Sequence, residues 1–407
     1  MIAKLFRPAS LSEISKPPLG GLRFDWAMTA GCAMFLGGLF VDGWAHQHGK
    51  TDNTFFTPWH AIFYSGFLVV AGVLLAGVTT NRRRGHSLRQ SIPPGYLLSL
   101  VGAGVFAVGG VGDMIWHSLF GVEASTEALL SPTHLLLALG ITLIVSGPLR
   151  AAWHRPDPAE GNWIFRFATA IPLLLSLAFT WSLLTFMTQF IHPMVNPWAS
   201  TAIYNLYARV NTNLYTYLAQ ALGVATFLAQ TGLLMGVVLI PIRRWSLPFG
   251  SFTVIFAVNA FLMSFMDDQF RLIAAAVASG LITDLALVVL KRFDGQLPAF
   301  RLFAFGVPTI YYGLYFLALA LTDGIWWSIH LWAGSIVITG IEGLLLSYVS
   351  IGPSYNIHVE SPQVELQNKE ISEYMSADSS RPDRLQMPSR KILRYRRRAE
   401  TRHSIRA

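Results

Sequence analysis

Two short stretches of the chain combine a carboxylate with imidazoles in the same order. In residues 42–60, DGWAHQHGKTDNTFFTPWH, an Asp is followed four positions later by a His, and the stretch closes on Thr-Pro-x-His. Residues 113–134, DMIWHSLFGVEASTEALLSPTH, repeat the Asp-x-x-x-His spacing and close on Ser-Pro-x-His. One carboxylate with two imidazoles is a common ligand set for copper, zinc or iron. The stretches therefore predict two metal sites, formed by Asp42, His46 and His60 and by Asp113, His117 and His134.

Local helix signals explain how the three side chains of one stretch would meet. An Asp and a His four positions apart lie on one face of a helix, about one turn from each other. Thr57 and Ser131 are good N-cap residues, and Pro58 and Pro132 suit the first helical position. The closing His then lies in the first helical turn, where the helix dipole favours the neutral imidazole that a metal requires. Each stretch therefore predicts a helical hairpin.

The two stretches resemble sequences of the C subunit of the copper membrane monooxygenases, the particulate methane and ammonia monooxygenase family. That subunit carries Asp-x-x-x-His followed by Thr-Pro-x-His, as residues 42–60 do. A second hairpin of the family carries Asn-x-x-x-His and a later Pro-x-His. Residues 113–134 are similar to it, with Asp113 in place of the Asn. The resemblance covers only these stretches, and it implies two neighbouring copper positions near the outer membrane face.

The elements that must position these residues are membrane helices. Of the 407 residues, 53% are hydrophobic and only 13% are charged, which is about half the charged share of a soluble domain. Apolar runs long enough to cross a bilayer as helices recur along the chain. We therefore predict an all-α polytopic membrane protein of about ten spans, at residues 26–45, 58–80, 95–116, 132–149, 165–188, 214–240, 249–266, 272–290, 302–321 and 325–349.

The distribution of basic residues predicts the orientation of these spans. The net charge is +8, and with a cytoplasmic N-terminus all of the 30 Lys and Arg residues except Lys50, Arg209 and Arg271 fall on the cytoplasmic side. This asymmetry is typical of membrane topology and argues against a nucleic-acid partner. It predicts two cytoplasmic termini, with both metal sites near the extracytoplasmic face of a bacterial plasma membrane. The single Cys32 excludes a disulfide within the chain.

The same pattern divides the chain into four segments. Residues 1–25 form a cytoplasmic N-terminal segment, and residues 26–150 hold a four-helix repeat with the two hairpins. Residues 160–350 supply six further spans. Residues 352–407 are polar, basic and rich in Ser and Pro, which predicts a disordered cytoplasmic tail.

Four further residues are candidates for metal binding or proton transfer. His48 lies two positions after His46 and so points elsewhere on a continuing helix; it would be a third imidazole, a proton carrier or a solvated loop residue. His192 lies between two methionines, as in a soft-metal cluster. Asp323 and His330 are seven positions apart, which predicts one shared helix face two turns long.

These patterns favour a copper-dependent, oxygen-activating membrane oxidoreductase that acts on a small apolar substrate. Aromatic residues beside the proposed ligands would form its pocket, and quinol in the membrane would supply electrons because no cofactor motif is visible. A metal transporter is one alternative, although it needs ligands along a path across the bilayer. A zinc hydrolase of membrane lipids, with Glu123 or Glu127 as general base, is another. A non-catalytic subunit of a larger complex, or a homo-oligomer, also stays open.

Overall fold

The computed structural model describes residues 18–50, 56–121, 126–155, 162–208, 212–293 and 296–350, and these residues form an all-α polytopic membrane protein. They contain no β-strand beyond a single isolated bridge between Ser200 and Ile325. The same residues include the 3₁₀ turns Gln189–Ile191 and Phe270–Leu272. The helices are α1 Leu22–Gln47, α2 Pro58–Arg83, α3 Leu88–Ser91, α4 Leu97–Phe120, α5 Glu127–Leu130, α6 Pro132–Val145, α7 Gly147–Trp153, α8 Trp163–Met187, α9 Thr201–Tyr207, α10 Thr212–Arg244, α11 Ser251–Met266, α12 Ile273–Arg292, α13 Leu297–Thr322 and α14 Ile329–Ser350.

Each of the ten apolar runs predicted from the sequence is helical over most of its length, and nine of the described helical segments are long and apolar enough to cross a membrane. The exception is α11, which has 16 residues and a length of about 24 Å, less than the ~30 Å hydrocarbon core of a bilayer. It packs against α1, α8 and α12, and Phe252, Phe256 and Met263 on it are completely buried. Protein rather than lipid surrounds much of α11, so a short helix is tolerated there.

Close helix contacts hold the first hairpin together. A Cβ on Gly38 of α1 would lie 2.7 Å from the Cα of Phe63, and a Cβ on Gly66 of α2 would lie 2.5 Å from the Cα of Phe35. Only glycine permits backbones to approach this closely, as is common between membrane helices. Gly38 lies one turn before Asp42, so the contact sets the separation of the helices beside the first predicted site. Helices α4 and α6 form the second hairpin.

Helix α8 joins the hairpins to the rest of the bundle, because it contacts α1, α6, α7, α10 and α11. Two ends of the bundle can be distinguished. At one end of the bundle, α1 and α4 finish and α2 and α6 begin. We call it the triad end, after the two Asp-His-His groups described below. At the opposite, basic end, the buried Asp25 accepts a hydrogen bond from the Tyr96 hydroxyl (2.7 Å) and pairs with Arg155. At that end, too, the carboxylate of Asp284 accepts the backbone N–H groups of Phe252 and Thr253 and so caps the start of α11.

Candidate metal centre

The first hairpin brings its three predicted ligands together. Asp42 is on the last turns of α1, four positions before His46, and His60 is on the first turn of α2. The Asp42 Oδ2 atom lies 3.4 Å from Nε2 of His60 and 4.0 Å from Nε2 of His46. One ligand atom from each of the three residues falls within 4.8 Å of the others. We call this group the first triad.

The second hairpin repeats the arrangement with α4 and α6. The Asp113 Oδ2 atom lies 3.5 Å from Nε2 of His117, and its Oδ1 atom lies 3.2 Å from Nε2 of His134. These residues, the second triad, also offer three ligand atoms within 4.8 Å of one another. The Asp113 side chain is only 3% exposed. Among the residues that the structure describes, no other group of three His, Cys, Asp or Glu side chains meets this criterion.

The helix starts predicted from Thr-Pro and Ser-Pro are confirmed, but the two caps differ. Thr57 is the N-cap of α2, and its hydroxyl accepts the backbone N–H of His60 at 3.1 Å. Ser131 is the N-cap of α6, yet its hydroxyl contacts Nδ1 of His134 at 2.8 Å instead of the backbone. Ser131 therefore holds the imidazole ring directly, with Nε2 turned towards Asp113.

Partners outside the second triad fix its orientation further. The Nδ1–H of His117 donates to the carbonyl of Gly121 at 3.2 Å, and this contact turns Nε2 of the ring towards Asp113. The Thr133 hydroxyl donates to Asp113 Oδ1 at 2.9 Å. Such partners typically set the tautomer and direction of metal ligands. Thr133 was not among the residues predicted from the sequence, although it lies within the Ser-Pro-x-His motif itself.

Charge and hydrogen bonding at the triads fit a bound cation. Asp42 and Asp113 are both buried, and the cavity that the triads line has no Lys or Arg among its described residues. The Oδ1 atom of Asp42 is buried without a hydrogen-bond partner in the described part of the chain. A buried carboxylate without a cation is costly. A metal ion between the carboxylate and the two neutral imidazoles would remove that cost.

Both triads line one cavity of about 1030 Å³ at the triad end. His46 of the first triad interacts electrostatically with His117 and His134 of the second. Tyr64 of α2 lies within electrostatic reach of both triad carboxylates, and its hydroxyl is 3.0 Å from the position of a Cβ on Gly110. Tyr64 is four positions after His60, so the spacing that identifies the ligands also places this phenol on the same face. Tyr64 was not among the residues predicted from the sequence.

His48 is placed outside the first triad. The residue follows the end of α1, and its ring stacks on Trp44 with the centroids 4.6 Å apart. Its Nδ1–H donates to the Trp44 carbonyl, and its Nε2 lies 3.3 Å from Oδ2 of Asp268. The structure therefore shows His48 as a link to the loop after α11 rather than as a third imidazole of the triad.

His192 lies near the triad end, but the structure does not bring it to either triad. It is 3% exposed and is not part of the cavity wall. Its Nδ1 accepts the backbone N–H of Met194, whose sulfur in turn faces the Ser264 hydroxyl at 3.9 Å. Burial lowers the pKa of His192 to about 3, so the ring is neutral near pH 7.

The prediction that Asp323 and His330 share one helix face is wrong. Helix α13 ends at Thr322 and α14 begins at Ile329, so the chain between the two residues is not helical. Asp323 pairs with Arg271 and accepts a hydrogen bond from the Ser200 hydroxyl at 2.8 Å. His330 is exposed on the first turn of α14. The turn at Gly324, whose φ is 75°, lies between the two helices and separates the two side chains.

Comparison of the chain with protein-family models, with curated proteins and with solved structures finds no match in any of the three. The class of protein therefore rests on the fold and the site alone. They define a polytopic membrane protein with two Asp-His-His groups, both within metal-binding distance and both facing one cavity. The resemblance of residues 42–60 and 113–134 to a copper monooxygenase subunit stays an expectation from the sequence.

Proposed function

We propose that this protein is a copper-dependent membrane oxidoreductase, similar to the monooxygenases, which acts on an apolar substrate in a bacterial plasma membrane. The observation that carries the proposal is the pairing of two Asp-His-His triads on the wall of one cavity. A purely structural role would need only one carboxylate–imidazole contact per hairpin. Here the same three-ligand arrangement is built twice, by different helices, at the same end of the bundle.

The donor set supports a catalytic type of metal site. Three protein ligands leave a coordination position open for a reactant, whereas structural sites usually close with four. Imidazole suits copper, zinc and iron, and the resemblance to the copper monooxygenases favours copper among them. Bound copper would supply redox chemistry with dioxygen. Electrons would come from a membrane donor, for which we propose quinol.

The chain's own residues would have three tasks. The Asp42 and Asp113 carboxylates balance the charge of the ions and fix their position between the paired helices. Ser131, Thr133 and the Gly121 carbonyl orient the second triad through the hydrogen bonds described above. The apolar cavity wall below the triads admits a hydrophobic molecule and limits the access of water.

A transport function receives less support from the geometry. A transporter needs ligands along a path between the two membrane faces. In the described residues, both groups of potential ligands lie at the triad end, and the basic end holds the ion pair of Asp25 and Arg155 instead. A zinc hydrolase uses the same ligand set, so the identity of the metal separates that function from the proposed one. The oligomeric state and a place in a larger complex are separate proposals.

Elemental analysis of the purified protein tests the proposal. We expect two equivalents of copper, one for each triad, and a loss of one equivalent in each of the variants His60→Ala and His134→Ala. His154→Ala is the matched control, because His154 is exposed at the basic end. Oxygen consumption with a quinol should then require both triads.

Three results would count against the proposal. Zinc in place of copper would favour the hydrolase. Metal content that is unaffected by both triad substitutions would remove the site assignment. Copper bound at both triads without any quinol-dependent oxygen consumption would leave a metal-binding membrane protein and refute the oxidoreductase function.

A further inference from the structure

The cavity beside the triads reaches deep into the membrane region. Its lining continues from His134 to Ile141 along α6 and from Tyr215 to Leu222 along α10. Ile141 and Leu222 lie nine and ten positions after the first residues of their helices, which corresponds to a depth of about 14–15 Å at 1.5 Å per residue. The cavity therefore extends from the triad end towards the middle of the hydrocarbon core.

The cavity also reaches the lipid-facing surface. Leu222 lines it and is 38% exposed, whereas Leu183 of α8, which also lines it, is 1% exposed. At the depth of Leu222 an exposed helix surface faces lipid chains rather than water. Helices α6 and α10 both pack on α8, so α8 forms the floor of a groove between them. A molecule dissolved in the bilayer would enter sideways through this groove.

The polarity of the cavity wall changes with depth. Near the triads the wall carries three amide side chains, which we call the amide cluster: Gln47, Gln189 and Asn196. Gln47 Nε2 donates to Gln189 Oε1 at 2.6 Å, and Asn196 Nδ2 donates to the Gln189 carbonyl at 3.0 Å. Further down, the wall is apolar. The residues there include Leu39, Phe63, Leu137, Ala138, Ile141 and Leu183.

The charge of the wall restricts the head group that it accepts. Asp267 contributes a carboxylate outside the triads, whose own carboxylates would be balanced by bound ions, and no described Lys or Arg lines the cavity. Like charges placed together cost several kcal/mol, so an anionic head group such as a fatty-acid carboxylate is disfavoured. Amides donate and accept hydrogen bonds without charge. The wall therefore suits a neutral, hydrogen-bonding head group.

We propose that the cavity binds a neutral amphipathic molecule from the lipid phase, with a hydroxyl-type head group at the amide cluster and a hydrocarbon chain between α6 and α10. The volume of about 1030 Å³ supports this, because pockets of about 300–1,000 Å³ bury ligands of drug size. A substrate of one or two carbons would leave most of the cavity empty. The inference rests on the proposed function in one respect only, namely that the bound molecule lies where the triads act.

Photolabelling with a diazirine analogue of 1-dodecanol tests the inference, and the matching analogue of dodecanoate serves as the charged probe. In the wild-type protein the alcohol should label α6, α8 and α10 at the cavity wall. Labelling by the carboxylate should be at least about tenfold weaker, a difference of 1.4 kcal/mol. The metal content of every sample is measured alongside, so that the site and the cavity are judged separately.

Two variants that fill the cavity and one matched control complete the experiment. Ala138→Trp and Leu222→Trp place an indole in the apolar part of the cavity, and each should reduce labelling by the alcohol about tenfold. Leu139→Trp is the control, because the neighbouring Leu139 is 50% exposed on the lipid-facing side of α6 and should leave labelling unchanged. Two filling variants on different helices are used because one of them could fail to fold. Thermal unfolding identifies such a failure.

The outcomes separate this inference from the proposed function. Labelling of the cavity in a protein that binds no metal would support the inference and refute the proposed function. Normal copper content together with labelling that is equal in Ala138→Trp, Leu222→Trp and Leu139→Trp would overturn the inference and leave the metal sites intact. Equal labelling by the alcohol and the carboxylate would also overturn it, because the head-group argument would then be wrong.

Discussion

The hydrogen bond from Thr133 to Asp113 allows a selective perturbation of the second triad. The variant Thr133→Val keeps the shape of the side chain but removes the hydroxyl that donates to Asp113 Oδ1 at 2.9 Å. The Asp113 side chain is only 3% exposed, so water would not readily replace the lost donor. A hydrogen bond to a charged group contributes about 1.5–3 kcal/mol. The carboxylate would lose part of its fixed orientation between His117 and His134.

The expected magnitude follows from that geometry. Loss of a partner of a metal ligand typically lowers metal affinity by about 10–100-fold, which corresponds to about 1.4–2.7 kcal/mol at 1.36 kcal/mol per tenfold. We expect this decrease at the second triad alone, because the Thr133 hydroxyl donates to Asp113 of that triad. The assay is a copper titration against a competing chelator, which resolves two classes of site. Thr142→Val is the control, since the Thr142 hydroxyl donates only to the Ala138 carbonyl of its own helix.

Two results would refute this reasoning. An equal decrease at both classes of site would show that the triads behave as one centre rather than as two. Unchanged affinity at both would show that Thr133 does not position the metal ligand. A general loss of folded protein in Thr133→Val, absent in Thr142→Val, is recognised by thermal unfolding in the absence of metal.

Three further predictions concern the fold. Gly66→Leu should separate α1 from α2 and abolish copper binding at the first triad while the second triad keeps its ion. Gly72→Leu should change neither, because Gly72 is open to lipid and an added Cβ there has nothing within 4 Å. Equal loss of copper at both triads would contradict this prediction. Asp284→Ala removes the cap of α11 and should lower the free energy of unfolding by about 1–2 kcal/mol. Denaturation in detergent measures this value, and an unchanged free energy of unfolding would argue against the capping role. The pKa of His192 is lowered to about 3 in the folded protein, against 6.5 ordinarily, so the unfolded chain binds more protons between these pH values and the free energy of unfolding should fall as the pH drops below 6.5. His192→Asn should flatten that pH dependence. Unfolding curves of the wild-type protein that do not change from pH 6.5 to 4 would refute the prediction.

The location of both triads at one end of the bundle bears on how the protein would work. Substrate from the bilayer would enter the cavity from the side, and protons would have to come from the aqueous face at the triad end. His48, in contact with Asp268 at 3.3 Å, links that face to the end of α1. At the basic end, Arg150 donates hydrogen bonds to the Gly95 carbonyl and to the Ser99 hydroxyl.

Much of the site could be predicted because its signals are local. The four-residue spacing of Asp42 and His46 places both on one helix face wherever that helix lies. The N-cap positions of Thr57 and Ser131 follow from their own backbone and the proline that comes next. The prediction for Asp323 and His330 failed for the same reason: a spacing of seven has meaning only within a continuous helix, and the chain turns at Gly324 between them.

The sequence by itself determined the class of fold, the positions of the apolar helices and the identity of the six triad residues. Hydrophobic length and helical periodicity depend on neighbouring residues alone. Only the tertiary structure decided that the two triads share one cavity, that Tyr64 lies near both of their carboxylates, and that His48 and Asp323 are held by Asp268 and Arg271. Those relations depend on which helices pack together and at what separation, and side chains far apart in the chain set that packing.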